Sequence, residues 1–243
     1  MTTIEYISHE SIAEIRLNRP QKLNAIDSGM LDGLADALDR AEADGDVRAI
    51  LLSGEGRAFS AGFDLDIGKP AAGVSQIEHT KRELQRDYDL ILRFWDCPKP
   101  TVAAVHGYCL GSSMEISAVC DVTISSDDCL FGAPEVRFGS GIVCMILPWI
   151  IGLKNANELL LGGDAKIDAS RAAAMGLINR VVPAGDLTTN AMAMARQLAE
   201  NDATAVQLTK QAIHRSLEIA GLREALAQAL EIDKQIETRG RSA

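Results

Sequence analysis

The sequence lacks the features that mark membrane proteins, disulfide-rich proteins and zinc proteins. Its longest apolar stretch, residues 141–153, is interrupted by Pro148 and is shorter than the ~20 residues that a transmembrane helix needs. The five cysteines are an odd number without a C-x-x-C pair, and the four histidines are far apart in the chain. These absences argue against a disulfide framework and a zinc site, so we expect free, buried thiols and no metal.

Basic side chains are also scarce. The chain has 24 Lys and Arg against 34 Asp and Glu, which gives a net charge of −10. Nonspecific nucleic-acid binding depends on Lys and Arg that neutralise phosphates, so this balance disfavours a nucleic-acid partner. No basic segment leads into an apolar stretch near residue 1, so no secretory signal is predicted. We therefore expect a cytoplasmic protein with no membrane partner.

The pattern of apolar residues predicts an α/β protein. With 243 residues, of which 47% are hydrophobic, the chain can form one large domain or one domain with an appendage. Residues 12–17 alternate as a half-buried strand does, and the apolar residues after Asp27 are spaced as in a helix with Asp27 or Ser28 as N-cap. Further elements are predicted as strands over residues 48–53, 100–106, 121–125 and 177–182, and as a short helix over residues 112–120.

The last quarter of the chain contains no strand pattern. Apolar residues recur there at helical spacing, first from Val206 and again from Leu222, which predicts two long helices. We therefore divide the chain into a core, residues 1–185, which carries the candidate site, and a helical region, residues 186–243. The helical region either serves as a subunit interface or packs on its own domain, and the sequence favours neither alternative.

Two glycine-rich turns, residues 54–62 and 107–111, each follow a predicted strand. Small residues let the backbone bend sharply there and expose its N–H groups. Ser112 would then begin a helix whose first N–H groups and dipole favour negative charge. Glycine turns after strands are ordinary in α/β proteins, so neither turn alone specifies a ligand site.

Two glutamates lie in apolar surroundings beside these turns. Glu115 falls within a helix of apolar and small residues, where a charged side chain is costly to bury, and Glu135 follows the rigid Pro134. A salt bridge to Arg137 or to another base is the structural alternative for a buried glutamate. Together the two carboxyl groups favour an acid/base pair.

Several short motifs occur in order along the chain. They are NRP at 18–20, NA at 24–25, RAFSAGFD at 57–64, PTVAAVHGYCLG at 100–111, Glu115 with Cys120 and Asp121, and FGAPE at 131–135. Together they resemble the enoyl-CoA hydratase/isomerase (crotonase) family over essentially the whole chain. The resemblance implies a crotonase-like spiral of ββα units with a C-terminal helical trimerisation region. It also implies a homotrimer or a hexamer, and an acyl-CoA thioester as the small-molecule substrate.

The resemblance further implies roles for individual residues. The backbone amides of Phe63 and Ser112 would form an oxyanion hole for the thioester carbonyl, with Glu115 activating a water and Glu135 donating a proton to C2. It implies substrate contacts from the following residues: Ala61, Gly62, Asp64, Leu65 and Gly111. Lys22, near the NRP turn, is a further candidate contact for the phosphates of coenzyme A, with a solvated loop cation as the equal alternative. No cofactor is expected, because coenzyme A is part of the substrate.

Both glutamates match positions that bear glutamates in the hydratases of this family. The sequence therefore predicts an enoyl-CoA hydratase, which adds water syn to a 2-enoyl-CoA or removes it. Isomerases of the family commonly depend on one glutamate at the Glu135 position, so an enoyl-CoA Δ3,Δ2-isomerase is the alternative. An inactive oligomeric scaffold or RNA-binding homologue is a hypothesis of another class, and thioester hydrolysis is a lesser one.

Three departures from the family pattern bear on the substrate and the reaction. Residues 111–113 replace a glycine triplet, and Phe63 stands where hydratases often have alanine. Residues 140–149 replace the Pro-Gly-x-Gly-Gly pattern, and this stretch helps to line the acyl pocket in relatives. A core helix is the alternative interpretation of that apolar run.

Overall fold

The computed structural model describes residues 2–163 and 166–240. Its strands are β1 (Ile4–His9), β2 (Ile12–Leu17), β3 (Ala49–Gly54), β4 (Thr101–Val105), β5 (Tyr108–Leu110), β6 (Val122–Ser126), β7 (Leu130–Gly132), β8 (Ile167–Asp168) and β9 (Arg180–Val182). Its α-helices are α1 (Ser28–Ala43), α2 (Gln76–Asp96), α3 (Ser112–Val119), α4 (Glu135–Phe138), α5 (Leu147–Gly162), α6 (Ala169–Ala174), α7 (Leu187–Ala199), α8 (Ala203–Ile219) and α9 (Leu222–Thr238). In this part of the chain no helix combines the length and the apolar character of a membrane span.

The main sheet has the strand order β1-β2-β3-β4-β6-β9. Strand β1 is antiparallel to β2, and each later neighbour is parallel. Helices α1 and α2 contribute to the core on one face of the sheet and α7 covers the other, so the central strands are buried on both faces. The predicted α/β class is confirmed.

Four of the predicted strands coincide with β2, β3, β4 and β6 to within one residue. The fifth, predicted over residues 177–182, is wrong in its first half, because only Arg180–Val182 pairs with β6. Leu177 and Ile178 are apolar and buried, but they lie in the turn after α6, where Leu177 N donates to Ala172 O. Their apolar character reflects packing in a loop and not membership of the sheet.

A second sheet, with the order β5-β7-β8, was not predicted, because strands of two or three residues carry no readable periodicity. Strand β5 pairs in parallel with β7, and Gly111 N extends this pairing by donating to Gly132 O at 2.8 Å. Helix α3 begins immediately after Gly111, and α4 begins three residues after Gly132. The small sheet therefore brings the first turns of α3 and α4 together.

Helix α2 is also absent from the elements predicted above. It begins with a capping box, in which the Ser75 hydroxyl accepts from Glu78 N at 3.2 Å and the Glu78 carboxylate accepts from Ser75 N at 3.1 Å. Its sequence is rich in charge, yet one face buries residues such as Ile91, Phe94 and Trp95. This face anchors the C-terminal half of α2 to the core, and the N-terminal half of α2 borders the cleft described below.

The C-terminal region contains α7, α8 and α9, where two helices were predicted. Helix α7 packs on the main sheet and α9 packs against α2. Helix α8 instead leaves apolar side chains exposed, among them Leu208, Ile213 and Ile219. Because α7 and α9 pack on the preceding core, the region packs largely on its own domain, and the division at residue 185 stays a prediction.

Candidate active site

A tight turn at residues 60–64 lies beside strand β5. Ser60 N donates to Tyr108 O at 3.1 Å, and Leu110 N donates to Ser60 O at 3.1 Å. These bonds form a parallel bridge between the turn and β5. The turn is therefore held next to the residues that open α3.

The same turn leaves the backbone amide of Phe63 free. Ile26 N donates to Gly62 O at 2.9 Å, and Asp64 N donates to Ile26 O at 2.8 Å. Successive amides of an extended segment point to opposite sides, so the Phe63 N–H is directed away from Ile26. Within residues 2–163 and 166–240 it has no hydrogen-bond partner.

A second free amide belongs to Ser112, the first residue of α3, whose N–H has no partner inside the helix. Gly62 lies against it with φ 91°. A Cβ added at Gly62 would be 2.9 Å from Leu110 O and 3.1 Å from Ser112 N. Any larger residue would therefore crowd this approach. The structure thus brings the segments that carry the Phe63 and Ser112 amides into direct contact.

Glu115 lies on the first turn of α3 and is only 3% exposed. Its Oε1 accepts from Cys144 N at 3.2 Å. Its Oε2 is buried and has no partner among the residues that the structure describes. A buried acceptor without a donor is costly, so this atom marks a place where a water or substrate donor is expected.

Glu135 opens α4 directly after Pro134 and is half-buried. Its Oε1 is 2.7 Å from the position that a Cβ on Gly111 would occupy, so glycine at 111 makes room for the carboxyl group. Its Oε2, like that of Glu115, is buried without a partner in the described part of the chain. The two glutamates therefore flank the start of α3, each with one unused oxygen.

The surroundings of both carboxyl groups favour the protonated form. Burial raises the pKa of Glu115 well above its usual range, and the charge of Glu135 raises that pKa further. The Cys144 amide and the Ser112 hydroxyl partly offset this rise in the pKa of Glu115. Burial also raises the pKa of Glu135. Because neighbouring carboxyl groups lose their protons in separate steps, a state with one acid and one base is accessible to the pair.

A cleft of about 400 Å³ opens in front of these groups. Its lining contains the turn at residues 61–65, the start of α3, the Glu135 carboxyl group and several apolar side chains. The lining residues include 61–65, Gly111, Ser112, Glu135, Leu84, Phe138 and Val143. Glu115 is not among the residues that line the cleft, although it lies on the same first turn of α3 as Ser112, which does line it. The cleft therefore offers two N–H donors and the Glu135 carboxyl group to a ligand with an apolar portion.

Five of the six predicted substrate contacts line this cleft, namely Ala61, Gly62, Asp64, Leu65 and Gly111. The Asp64 carboxylate accepts from Arg19 Nη1 at 2.7 Å, and this bond lowers its pKa. Lys22 instead lies on an exposed 3-10 turn and is not a lining residue. Its contact with the substrate stays a prediction.

The apolar stretch at residues 140–149 is a core helix only in part. Helix α5 begins at Leu147, whereas Ser140, Gly141 and Val143 line the cleft. The next residue, Cys144, supplies the amide that holds Glu115. The departure from the family pattern therefore lies within the site itself.

Asp233, on α9, is a third acidic side chain at this cleft, and no motif above contains it. It is 2% exposed, and neither carboxylate oxygen has a hydrogen-bond partner within residues 2–163 and 166–240. The buried face of α9 consists of Leu222, Leu226, Leu230 and Asp233. A charged residue on an otherwise apolar helical stripe was the sequence signal for this position.

Replacing Asp233 by Asn is expected to stabilise the protein at alkaline pH. Burial, with the charges of Glu237 and Glu135, raises the pKa of Asp233 from 3.8 to about 7. The unfolded chain releases this proton at lower pH than the folded chain, so stability from this group is lost as pH rises from about 4 to about 7. At about 1.4 kcal/mol per pKa unit, Asp233→Asn should raise the free energy of unfolding by roughly 2–4 kcal/mol at pH 8.

Urea denaturation at pH 4 and pH 8 measures this effect. At pH 4 the wild-type carboxyl is already protonated in the folded state, so the gain should be small. Asp36→Asn, at an exposed position on α1, is the matched control and should show little gain at either pH. A gain from Asp233→Asn that is equal at both pH values would contradict the explanation.

Known proteins resemble this chain in sequence and in overall structure. The family described as enoyl-CoA hydratase/isomerase matches residues 8–240. A Thermus thermophilus protein, provisionally named an enoyl-CoA hydratase, is 36% identical over 202 residues, which cover 82% of this chain and 79% of that protein. The human mitochondrial Delta(3,5)-Delta(2,4)-dienoyl-CoA isomerase is 31% identical over 217 residues, which cover 84% of this chain and 65% of that protein.

Among solved structures, the crystal structure of an enoyl-CoA hydratase/isomerase from Xanthobacter autotrophicus Py2 matches with a TM-score of 0.92 and 45% identity. The match covers 97% of this chain and 87% of that one. Agreement over nearly the whole chain confirms the predicted crotonase-like architecture.

Proposed function

The chain belongs to the enoyl-CoA hydratase/isomerase family, and from this we propose that it is an enoyl-CoA hydratase, which adds water syn to a 2-enoyl-CoA or removes it in reverse. One observation carries the proposal. Glu115 is buried and Glu135 is half-buried, and within residues 2–163 and 166–240 each has a buried, unpartnered oxygen beside the two free amides. A hydration needs one carboxylate to activate water and one carboxyl group to deliver a proton, and this pair supplies both.

In the proposed mechanism the thioester carbonyl oxygen accepts hydrogen bonds from the amides of Phe63 and Ser112. Negative charge that develops on this oxygen is stabilised by the two donors and by the N-terminus of α3. The C2=C3 bond is thereby polarised, so that C3 becomes electrophilic. Both donors are backbone groups, so the hole tolerates changes of side chain at these positions.

Water addition then follows with a complete proton balance. Ionised Glu115 takes a proton from water as the water oxygen bonds to C3, and the electron pair of the double bond moves toward the carbonyl to form an enolate. Because burial raises the pKa of Glu115 more than that of Glu135, this protonation state requires the bound water to donate to the free Glu115 oxygen and so to stabilise the ionised form. Protonated Glu135 delivers its proton to C2 as the enolate collapses. Proton exchange between the glutamates and solvent restores the starting state. Coenzyme A enters as part of the substrate, and the mechanism uses no further cofactor.

A second candidate activity is isomerisation of a 3-enoyl-CoA to a 2-enoyl-CoA. This candidate is supported by the similarity of the chain to a relative that is named as a dienoyl-CoA isomerase. In this reaction Glu135 would move a proton between carbons, and Glu115 would be dispensable. The presence of both carboxyl groups favours hydration over this alternative.

We also propose that the protein forms a trimer or a hexamer in the cytoplasm. The exposed apolar side chains of Leu208, Ile213 and Ile219 on α8 support subunit contacts through this helix. Sedimentation analysis of the purified protein tests the proposed assembly, and a monomer at micromolar concentration would contradict it.

The proposed activity is tested with a panel of 2-enoyl-CoAs of different chain length. We expect loss of the absorbance of the conjugated thioester together with formation of 3-hydroxyacyl-CoA. A parallel reaction starts from 3-enoyl-CoA and detects isomerisation as a gain of the same absorbance. Isomerisation without hydration would replace the proposal by the second candidate, and an inert panel in both reactions would overturn both.

A further inference from the structure

The cleft carries acidic side chains without matching bases. Its acidic lining residues are Asp64, Glu83, Asp87, Glu135, Asp233 and Glu237, and within the described chain no Lys, Arg or His lines it. Two of these acids are neutralised from outside the cleft. Arg19 bonds Asp64 at 2.7 Å, and Arg86 bonds Glu83 at 2.9 Å. Among the described residues, the other four acids have no basic side chain beside them in the lining of the cleft.

Three of the remaining acids lie on one wall, formed by the packed helices α2 and α9. Asp87 belongs to α2, and Asp233 and Glu237 belong to α9. Glu237 accepts from Gly141 N at 3.2 Å. A Cβ on Gly141 would overlap Asp233 Oδ1, so glycine at this position leaves room for the Asp233 carboxyl. We call this wall, Asp87, Asp233 and Glu237, the acidic wall.

Asp233 is the group of the acidic wall that most requires a partner. Both of its oxygens are buried and have no hydrogen-bond donor in residues 2–163 and 166–240. An unpaired buried carboxylate costs several kcal/mol, so it is expected to hold a proton or to meet a donor. Burial and neighbouring acids raise the pKa of Asp87 and of Asp233 to about 7.

A metal ion does not account for the acidic wall. In the part of the chain that the structure describes, no three His, Cys, Asp or Glu side chains are grouped so that they could hold one. The missing donor is therefore expected to arrive with the ligand. The cleft also contains Glu135, so the acidic wall borders the space next to the reacting carbons.

We propose that the acidic wall selects an acyl-CoA whose acyl chain carries an ammonium group beyond C3, and that Asp233 is the residue that determines this specificity. The inference rests on the proposed function in taking an acyl-CoA as the ligand. An ammonium group offers N–H donors to the unpartnered oxygens of Asp233 and a positive charge to the surplus of acids. A methyl group would leave Asp233 unpaired, and a carboxylate would be repelled.

The test compares four substituents that differ in charge and hydrogen bonding, of which ammonium, hydroxyl and methyl are of similar size. The probes are (E)-but-2-enoyl-CoAs with ammonium, hydroxyl, methyl or carboxylate on C4, and (E)-pent-2-enoyl-CoAs with the same groups on C5. The trans double bond prevents the amino group of either chain from cyclising onto the thioester, and addition of the C5 amino group to C3 would need a strained four-membered ring. Dissociation constants are measured by calorimetry in Glu115→Gln protein, so that turnover does not consume the ligand.

At one or both chain lengths the ammonium probe should bind on the order of tenfold more tightly than the methyl probe, and the carboxylate probe should bind most weakly. Adding Asp233→Asn should bring the ammonium-to-methyl ratio to within about threefold. Adding Asp87→Asn should reduce it in part. Glu231→Gln removes an equal charge from the exposed face of α9 and should leave the ratio unchanged.

Two results would overturn the inference. One is methyl probes that bind as tightly as ammonium probes at both lengths, and the other is a ratio that Asp233→Asn does not alter. If no thioester binds at all, the inference fails together with the proposed function. If the expected ranking appears but wild-type protein hydrates none of the probes, the inference stands and the hydratase proposal fails.

Discussion

Glu115→Gln and Glu135→Gln are each expected to reduce kcat for enoyl-CoA hydration by roughly 10²–10⁴-fold, because each removes a group that transfers a proton in the transition state. Gln has nearly the same shape as Glu and keeps a carbonyl oxygen that can accept from Cys144 N, so the fold should be retained. Binding of the coenzyme A portion depends on other residues, so the affinity for a saturated acyl-CoA should change little. Steady-state kinetics and calorimetry measure the two effects separately.

The two variants also distinguish hydration from isomerisation. A hydratase should lose activity in both variants, whereas an isomerase that relies on Glu135 should tolerate Glu115→Gln. Glu158→Gln, at an exposed position on α5 where the side chain pairs with Arg171 at 3.2 Å, is a control for the loss of one acidic charge. Near wild-type hydration by both site variants would refute the mechanism proposed above.

Ser112→Pro is expected to lower kcat/KM by about 10²–10³-fold, which corresponds to about 2.7–4 kcal/mol of transition-state stabilisation. The change deletes the N–H that is proposed to face the thioester oxygen. Ser112 is the first residue of α3, and proline is well tolerated at this position of a helix because its amide needs no intrahelical partner. The preceding residue, Gly111, has φ 58°, a backbone conformation that glycine adopts without strain.

Ser112→Ala is the matched control, because it keeps the amide and removes only the hydroxyl. It should retain most of the activity if the backbone donor matters, with a small effect from the lost hydroxyl beside Glu115. Circular dichroism of both variants checks that α3 and the fold persist. Equal kcat/KM values for Ser112→Pro and Ser112→Ala would exclude the Ser112 amide as an oxyanion donor.

Local patterns in the sequence were sufficient to predict β4 and α3, which lie before and around Glu115. They did not predict β7 or α4, and residues 108–110, predicted as part of a glycine-rich turn, form β5. The meeting of the two glutamates in space was expected only through resemblance to a family, because long-range pairing between β5 and β7 leaves no trace in a single segment. The structure explains this meeting through the pairing of Gly111 with Gly132.

Helix α2 and Asp233 were missed for related physical reasons. The many charged residues of α2 obscure the pattern of its apolar residues in the sequence. These apolar residues are buried because α2 packs against α1, α3 and α9, and local helix propensity does not reveal this packing. Asp233 follows Glu115 by more than a hundred residues in the sequence, so no motif links them. Only the packing of α9 against α2 brings Asp233 to the cleft.

The packing of α9 against α2 has a consequence for how this scaffold can change over time. The groups proposed to perform the reaction come from turns and short helices at the edges of the two sheets, whereas the acidic wall comes from two long helices that join at a separate seam. If the acidic wall selects the acyl group as proposed, substitutions along that seam should change this choice and leave the groups that transfer protons in place. The specificity of this chain should then change by single substitutions that do not alter the proposed chemistry.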